Sequence, residues 1–339
     1  MKLLVTGGAG FIGSNFIDYW LEKYPRDSIT NLDAMTYAAN PLTVEHHKKR
    51  FTNYRFVKGN ICNSKLVDKL VSKVDAIVHF AAESHVDRSI EGSKVFLETN
   101  VLGTHTLLNA ARMNGNKRFH HISTDEVFGS LNLNSKSKFY ENTTFSPNSP
   151  YAASKAASDH LVNAYYKTYR LPTTITNCSN NYGPFQFPEK VIPLYITRLV
   201  KNLPIPIYGK GKAVRDYIYV IDHCRAIESV LQSKKYGEVY CVGGASERNT
   251  VQVARTILKA LNRSPHLIKY TKDRPGHDMR YAINYSKITK NLGWKPIYSF
   301  AEGIELTIDW YKINANWYKP ILKRAHEVAR KYLASGQNE

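Results

Sequence analysis

A chain of 339 residues that is 43% hydrophobic and 22% charged can bury a sizeable core, which excludes wholesale disorder. It has no run of about 18 apolar residues and begins almost directly on an apolar strand pattern, so neither a membrane span nor a secretory leader is expected. Its 47 basic and 28 acidic residues give a net charge of +19, but the basic residues are dispersed and accompany no nucleic-acid-binding motif, so an anionic small molecule is the expected partner rather than nucleic acid.

The first predicted strand, over 2–6, runs into Thr6-Gly7-Gly8-Ala9-Gly10-Phe11-Ile12-Gly13 and a helix over 11–23. Gly8, Gly10 and Gly13 have the spacing that lets backbone approach a pyrophosphate seated on a helix N-terminus. A second strand over 28–32 ends at Asp33, where a carboxylate accepts from adenosine ribose hydroxyls. Asp33 also repels a 2′-phosphate and Ala34 offers no arginine to hold one, so NAD is favoured over NADP. Strands over 54–57, 76–80, 119–122 and 173–176 alternate with helices over 65–72, 93–114 and 151–169. That alternation predicts an α/β fold, a doubly wound parallel Rossmann sheet covered on both faces.

After Cys178 the pattern loosens around Pro184, Pro188, Pro193, Pro204 and Pro206. A strand over 217–220 leads into a helix from Asp222, and a strand over 239–242 ends at Gly243-Gly244. The expected division is a dinucleotide-binding domain (1–177 plus 218–243), a smaller interleaved α/β substrate lobe (178–217 plus 244–318) and a basic helical extension over 319–339. The four cysteines, Cys62, Cys178, Cys224 and Cys241, share no C-x-x-C spacing and read as reduced thiols of a cytoplasmic protein.

Tyr151 and Lys155 lie four apart on one helix face. For a tyrosine to act as a base near neutrality its pKa must fall by about three units, roughly 4 kcal/mol. One positive charge at about 4 Å supplies an interaction of that order at an effective dielectric of ~20, so Lys155 is sufficient in principle to lower Tyr151, and an oxidised nicotinamide adds more. Asp125 and Glu126 follow the strand over 119–122, and the carboxyl end of a strand is where open α/β sheets place their chemistry. Two neighbouring acids repel, so environment can leave one protonated as donor and the other ionised as base. Oxidation at a carbinol coupled to elimination of water needs that pair. The pairs His46-His47 and His120-His121 lack ligand spacing, so no metal is expected, and no G-x-S-x-G elbow is present.

The blocks TGGAGFIGSNF, FAAESHVDRSI, STDEVFG, SPYAASKAASD, CSNNYGPFQFPEKVIPL, VRDYIYV and DRPGHDMRYAI run from about Leu3 to Trp317. Through them the chain resembles the nucleotide-sugar 4,6-dehydratases of the extended short-chain dehydrogenase/reductase family. The resemblance implies that Tyr151 takes the C4 hydroxyl proton while hydride passes to NAD, with Lys155 as its partner and ribose ligand. It implies Glu126 as the C5 base, Asp125 as the acid for the departing C6 hydroxyl, Thr124 as a bond to the C4 oxygen, and return of hydride to C6. NAD would stay tightly bound, regenerated each turnover, on Gly7, Gly10, Phe11, Ile12, Gly13, Asp33, Thr36, Asn60, Ile61, Phe80, Ala81, Ala82 and Thr99. The substrate, dTDP-glucose, would meet Ser84, His85, Thr124, Asn180, Glu189, Lys190, Pro206, Tyr208, Arg215, Asn249, Arg274, His277, Arg280 and Tyr281. Asn60 stands where the family usually has Asp, and Phe128 where it has Tyr.

A UDP-glucose 4,6-dehydratase remains an alternative, because one thymine methyl is worth only about 1 kcal/mol of burial. A nucleotide-sugar 4-epimerase shares Tyr-x-x-x-Lys but needs no acid pair, and a non-catalytic dinucleotide- or polyanion-binding protein needs neither. The resemblance also implies a homodimer joined through the helices over 93–114 and 151–169, with Ala152, Ala156 and Ala157 as small packing residues.

Overall fold

The computed structural model describes residues 1–272 and 278–322. In chain order the first half comprises β1 (Lys2–Thr6), α1 (Phe11–Lys23), β2 (Ser28–Asp33), α2 (Pro41–Arg50), β3 (Tyr54–Lys58), α3 (Ser64–Val71) and β4 (Ala76–His79). It continues with α4 (Val86–Glu91), α5 (Lys94–Phe96), a π-helical stretch (Leu97–Gly103), α6 (Thr104–Met113), β5 (Arg118–Thr124), α7 (Pro150–Tyr169) and β6 (Thr173–Cys178). The second half holds β7 (Asn180–Tyr182), α8 (Val191–Val200), β8 (Ile205–Tyr208), β9 (Val214–Tyr219), α9 (Val220–Ser233), β10 (Glu238–Val242) and β11 (Glu247–Asn249). Then come α10 (Thr250–Ala260), β12 (Ile268–Thr271), α11 (Ser286–Leu292) and α12 (Phe300–Ile313).

Seven strands form one sheet in the order β3-β2-β1-β4-β5-β6-β10, every neighbouring pair parallel. The fold is therefore the doubly wound α/β class, and the order reverses between β1 and β4, where such sheets open a crevice at their carboxyl ends. Side-chain alternation assigns the two faces. Leu4, Ile77, Phe119 and Ile175 meet Val67, Leu107 and Val162 on one side. Leu3, Val5, Val78 and Ile122 meet Phe16, Trp20, Val220 and Ile227 on the other. Helices on both faces explain why β4 and β6 are buried along their whole length.

The smaller lobe has its own core, in which Tyr182, Ile196, Ile207, Ile257, Ile304 and Trp317 pack together. A three-stranded sheet, β11-β9-β7, and a two-stranded one, β12-β8, lie within the second half. Only β9 overlaps an expected strand, the one over 217–220; β7, β8, β11 and β12 are three or four residues long, too short to carry a readable periodicity. The helix expected over 93–114 is divided by the π-helical stretch, an insertion that often marks functional sites. Residues 315–322 are helical, and the remainder of the expected 319–339 extension lies outside the described residues.

One expectation is corrected. Ala152 and Ala156 are 2% and 6% exposed and pack within this chain, Ala156 beside Val127 and Phe128, so neither is available to a second copy. The apolar residues that do face outward near there are Leu97, Leu102 and Met113, exposed by 51, 58 and 65%.

A buried carboxylate ties the lobe to the sheet. Asp222, in the first turn of α9, accepts from the backbone N–H of Ile297 and of Tyr298, both at 3.0 Å, and from Arg225 at 2.6 Å. The same residue's carbonyl accepts from the Trp294 indole. Asp222→Ala leaves two N–H groups near the entry to α12 without their acceptor. A loss of about 2–6 kcal/mol in urea-unfolding stability is expected, at one to three per stranded donor.

Candidate active site

The carboxyl ends of β1, β2, β4, β5 and β6 border a cleft of about 430 Å³. Gly10 caps α1 without a side-chain hydrogen bond, so the first N–H groups of that helix stay open toward the cleft. Gly7 holds φ at +73°, and a Cβ there would stand 2.6 Å from the Ala81 nitrogen. Only glycine permits that approach of β1 to β4. Asp33 closes the floor: its carboxylate accepts from Ala9 N at 2.9 Å and Met35 N at 2.8 Å, and burial raises its pKa. Phe11, Ile12, Gly13, Thr36, Asn60, Ile61, Phe80, Ala81, Ala82 and Thr99 also line the cleft, so the whole expected cofactor set converges. Asn60 spends its side-chain oxygen on Cys62 N at 2.8 Å, which turns the loop after β3. An uncapped helix end for phosphate, glycines without side chains and a carboxylate for ribose fit a dinucleotide.

The same cleft holds Thr124, Asp125, Glu126, Tyr151 and Lys155. Ser149 caps α7 through Ala152 N and Pro150 opens it, which fixes Tyr151 and Lys155 on the first turns. The expected lowering of Tyr151 by Lys155 is not what the chain's own groups do. Burial, then Glu126, Cys178 and Asp125, push the phenol well above 10, and a hydrogen bond with Thr124 acts against them. The Lys155 ammonium instead donates to the Ile122 carbonyl at 2.8 Å and lies 3.2 Å from His121 Nε2. Burial brings Lys155 down to about 8, partly offset by Asp159.

The adjacent acids occupy unequal environments. Asp125 is 1% exposed, its Oδ2 has no hydrogen-bond partner, and its Oδ1 meets the Thr124 hydroxyl at 3.4 Å. Burial first, then Glu126 and Asp216, raise its pKa well above the usual carboxylate range, with Arg215 opposing. Glu126 is half-buried and its backbone N–H donates to Thr124 Oγ1 at 3.2 Å. Burial thus favours the neutral form of one acid beside a more accessible neighbour.

Of the expected substrate residues, Ser84, Asn180, Glu189 and Lys190 line the cleft. Asn180 Oδ1 and Glu189 Oε2 are buried without a partner, as are Ser179 Oγ and Gln186 Oε1, which also line the cleft. His85 does not line it but caps α4 and lies 3.6 Å from Glu189. Arg215, Asn249, Arg280 and Tyr281 gather where β9 meets β11 and the 280–281 backbone. There the Arg215 guanidinium stacks 4.2 Å over the Tyr281 ring and donates to the Asp278 carbonyl at 2.9 Å. Arg280, only 6% exposed, donates to Glu247 at 2.8 Å, so its charge is already matched. The Asn249 side-chain oxygen caps α10. Pro206 and Tyr208 lie apart on β8. Arg274 and His277 lie outside the described residues. Sequence reasoning missed Tyr37, Gln186 and Phe187 in the cleft, though the last two sit inside the quoted CSNNYGPFQFPEK block.

The GDP-mannose 4,6 dehydratase family model matches residues 4–307. The dTDP-glucose 4,6-dehydratase of Xanthomonas campestris pv. campestris (strain B100) is 48% identical, over 96% of this chain and 97% of its own. The dTDP-glucose 4,6-dehydratase DesIV of Streptomyces venezuelae, solved with NAD and TYD bound, is 46% identical with a TM-score of 0.90, covering 95% of this chain and 100% of that one. The dTDP-glucose 4,6-dehydratase of Bacillus anthracis str. Ames, solved in complex with NAD, is 45% identical with a TM-score of 0.88, over 95% and 99%. A match this long, on a chain whose cleft joins a dinucleotide cradle to a tyrosine, a lysine and two acids, means that it belongs to the GDP-mannose 4,6 dehydratase family.

Proposed function

We propose that the chain is an NAD-dependent hydro-lyase that converts dTDP-glucose to dTDP-4-keto-6-deoxyglucose. The observation that carries this reading is the unequal burial of Asp125 and Glu126 in one cleft with Tyr151 and Lys155. The named relatives support dTDP-glucose as substrate and NAD as cofactor. NAD, when bound, supplies a hydride acceptor and donor regenerated within each turnover and, when oxidised, a positive charge.

The chain's own groups move the protons. Tyr151, once ionised beside the positive charge that oxidised NAD would bring, accepts the C4 hydroxyl proton, and Thr124, in hydrogen-bond contact with it, shares the C4 oxygen. Lys155 anchors the nicotinamide ribose and keeps a cation within the apolar wall. Oxidation at C4 acidifies the C5 proton, which Glu126 removes. Asp125, held neutral by burial, gives its proton to the C6 hydroxyl, which departs as water. Ser84, Asn180, Glu189 and Lys190 hold the sugar and diphosphate, with Arg215 and Tyr281 beyond them toward the base.

The seven-stranded sheet serves as the dinucleotide-binding unit and the lobe around α8, α10 and α12 as the substrate unit. The four free cysteines support a cytoplasmic setting, and exposed Leu97, Leu102 and Met113 support a homodimer through α6 and α7.

Glu126→Gln removes the C5 base but leaves C4 oxidation possible. With dTDP-glucose it should form no product lighter by one water while NADH absorbance accumulates. Loss of neither activity, measured by mass and absorbance, excludes the assignment. Asp125→Asn should lower turnover of dTDP-glucose by about 10²–10⁴-fold. A substrate carrying fluoride at C6 needs no proton to expel its leaving group and should lose far less. Because burial raises the Asp125 pKa, the proton it donates is held to higher pH than on an ordinary carboxyl and is lost as pH rises through that raised value. The elimination rate of the native enzyme should therefore fall on the alkaline side for dTDP-glucose and stay flatter for the fluoro substrate.

A further inference from the structure

His46 and His47 sit next to each other on α2, and Asp18 lies on α1, with none of the three lining the cleft. The fold brings one donor atom of each within 4.8 Å of the other two. We propose that Asp18, His46 and His47 form a site for one divalent transition-metal ion of the zinc class, clipping α2 to α1.

The geometry is close to a metal's needs. Imidazole and carboxylate bind zinc at about 2.0–2.2 Å, so tetrahedral donors stand roughly 3.3 Å apart. His46 Nε2 lies 3.1 Å from Asp18 Oδ2, and His47 Nε2 lies 3.5 Å from Asp18 Oδ1. His46 is 38% exposed, so it can swing to close the remaining gap and admit a water as fourth ligand. A neutral imidazole pair with one carboxylate is a donor set for zinc, cobalt or nickel rather than magnesium or calcium.

His47 is the independent observation. Its side chain is 0% exposed, and neither ring nitrogen completes a hydrogen bond, although the Ser14 backbone lies beside the ring. The rings of Tyr54 and Phe185 pack around it. A buried polar group left unpartnered is costly, and a metal beside Asp18 would satisfy it. Arg50 is the opposing charge, 3.9 Å from Asp18, but its guanidinium is also paired with Glu22. A hydrogen bond from His46 to Asp18 accounts for two of the three residues, while His47 faces the same carboxylate at 3.5 Å without completing a hydrogen bond.

The test uses the full-length protein stripped with a chelator and titrated with Zn²⁺ by calorimetry and with Co²⁺ by visible absorption. One Zn²⁺ per chain, d–d bands of a four-coordinate Co²⁺ site, and a Zn²⁺-dependent rise in melting temperature are expected. His46→Ala and Asp18→Asn should each weaken Zn²⁺ at least about tenfold, because even outer-shell changes cost that much. Both should lose the Co²⁺ bands and the melting shift. Neither residue fills the core, and circular dichroism checks the fold. If one variant fails to fold, the other decides. Absence of stoichiometric Zn²⁺ binding in the native protein, or equal binding by a folded variant, overturns the site.

Discussion

Withdrawal of water from the carboxyl end of β5 is the constraint on which the site depends. Asp125, Tyr151 and Lys155 are all buried there, and desolvation is the largest influence on each. The direction follows from the charge of the ionised form. Burial raises the acid and the phenol and lowers the amine. All three groups are pushed toward neutrality, the state in which protons can be exchanged with a bound sugar at modest cost. An exposed turn carrying the same Asp-Glu pair would leave both carboxylates ionised and neither able to donate.

Holding such groups in place requires a rigid surround. Behind Lys155, Asp159 accepts from Ser123 and Asn177, each at 2.9 Å, and faces His121 at 3.3 Å. These residues come from β5, β6 and α7, whose backbones are fixed by the parallel ladder and by the Ser149 cap. A buried polar layer of this kind resists slippage, because moving Asp159 would strand Ser123 and Asn177 together. The π-helical stretch takes part as well. Asn100, within it, donates to Ser154 at 2.8 Å and accepts from Glu83 N at 2.9 Å, linking α7 to the loop after β4.

Much of this was legible in the sequence, and the physical reason is locality. Each signal in the first half sits within a few residues of its partner: Gly7 to Gly13 in one turn, Tyr151 and Lys155 on one helix face, Asp125 beside Glu126. The predicted helix over 11–23 and strand over 2–6 match α1 and β1 to the residue for that reason. What stayed hidden depends on partners distant in sequence. Arg280 reads as a free cation until Glu247 is seen 2.8 Å away. Tyr37 gives no sign of lining the cleft, because α1, β2 and α8 must all be placed before Glu189 reaches its hydroxyl at 3.1 Å. Helix α2 escaped because its polar and basic composition shows no apolar stripe, although Asn40 and Pro41 form a readable start.

The placement of Lys155 shows how far residue spacing can carry an electrostatic claim. Four residues apart on a helix establishes that two side chains share a face, and Coulomb's law then gives the size of the effect at about 4 Å. Neither fixes which way the longer side chain points. Here the ammonium turns to the Ile122 carbonyl and the His121 ring, where it compensates a buried backbone acceptor. Its attraction for a phenolate is diverted, while Glu126 and Asp125 act on the same phenol with the opposite sign. Desolvation and the neighbouring acids therefore raise this phenol, and positive charge entering the cleft would act in the opposite direction.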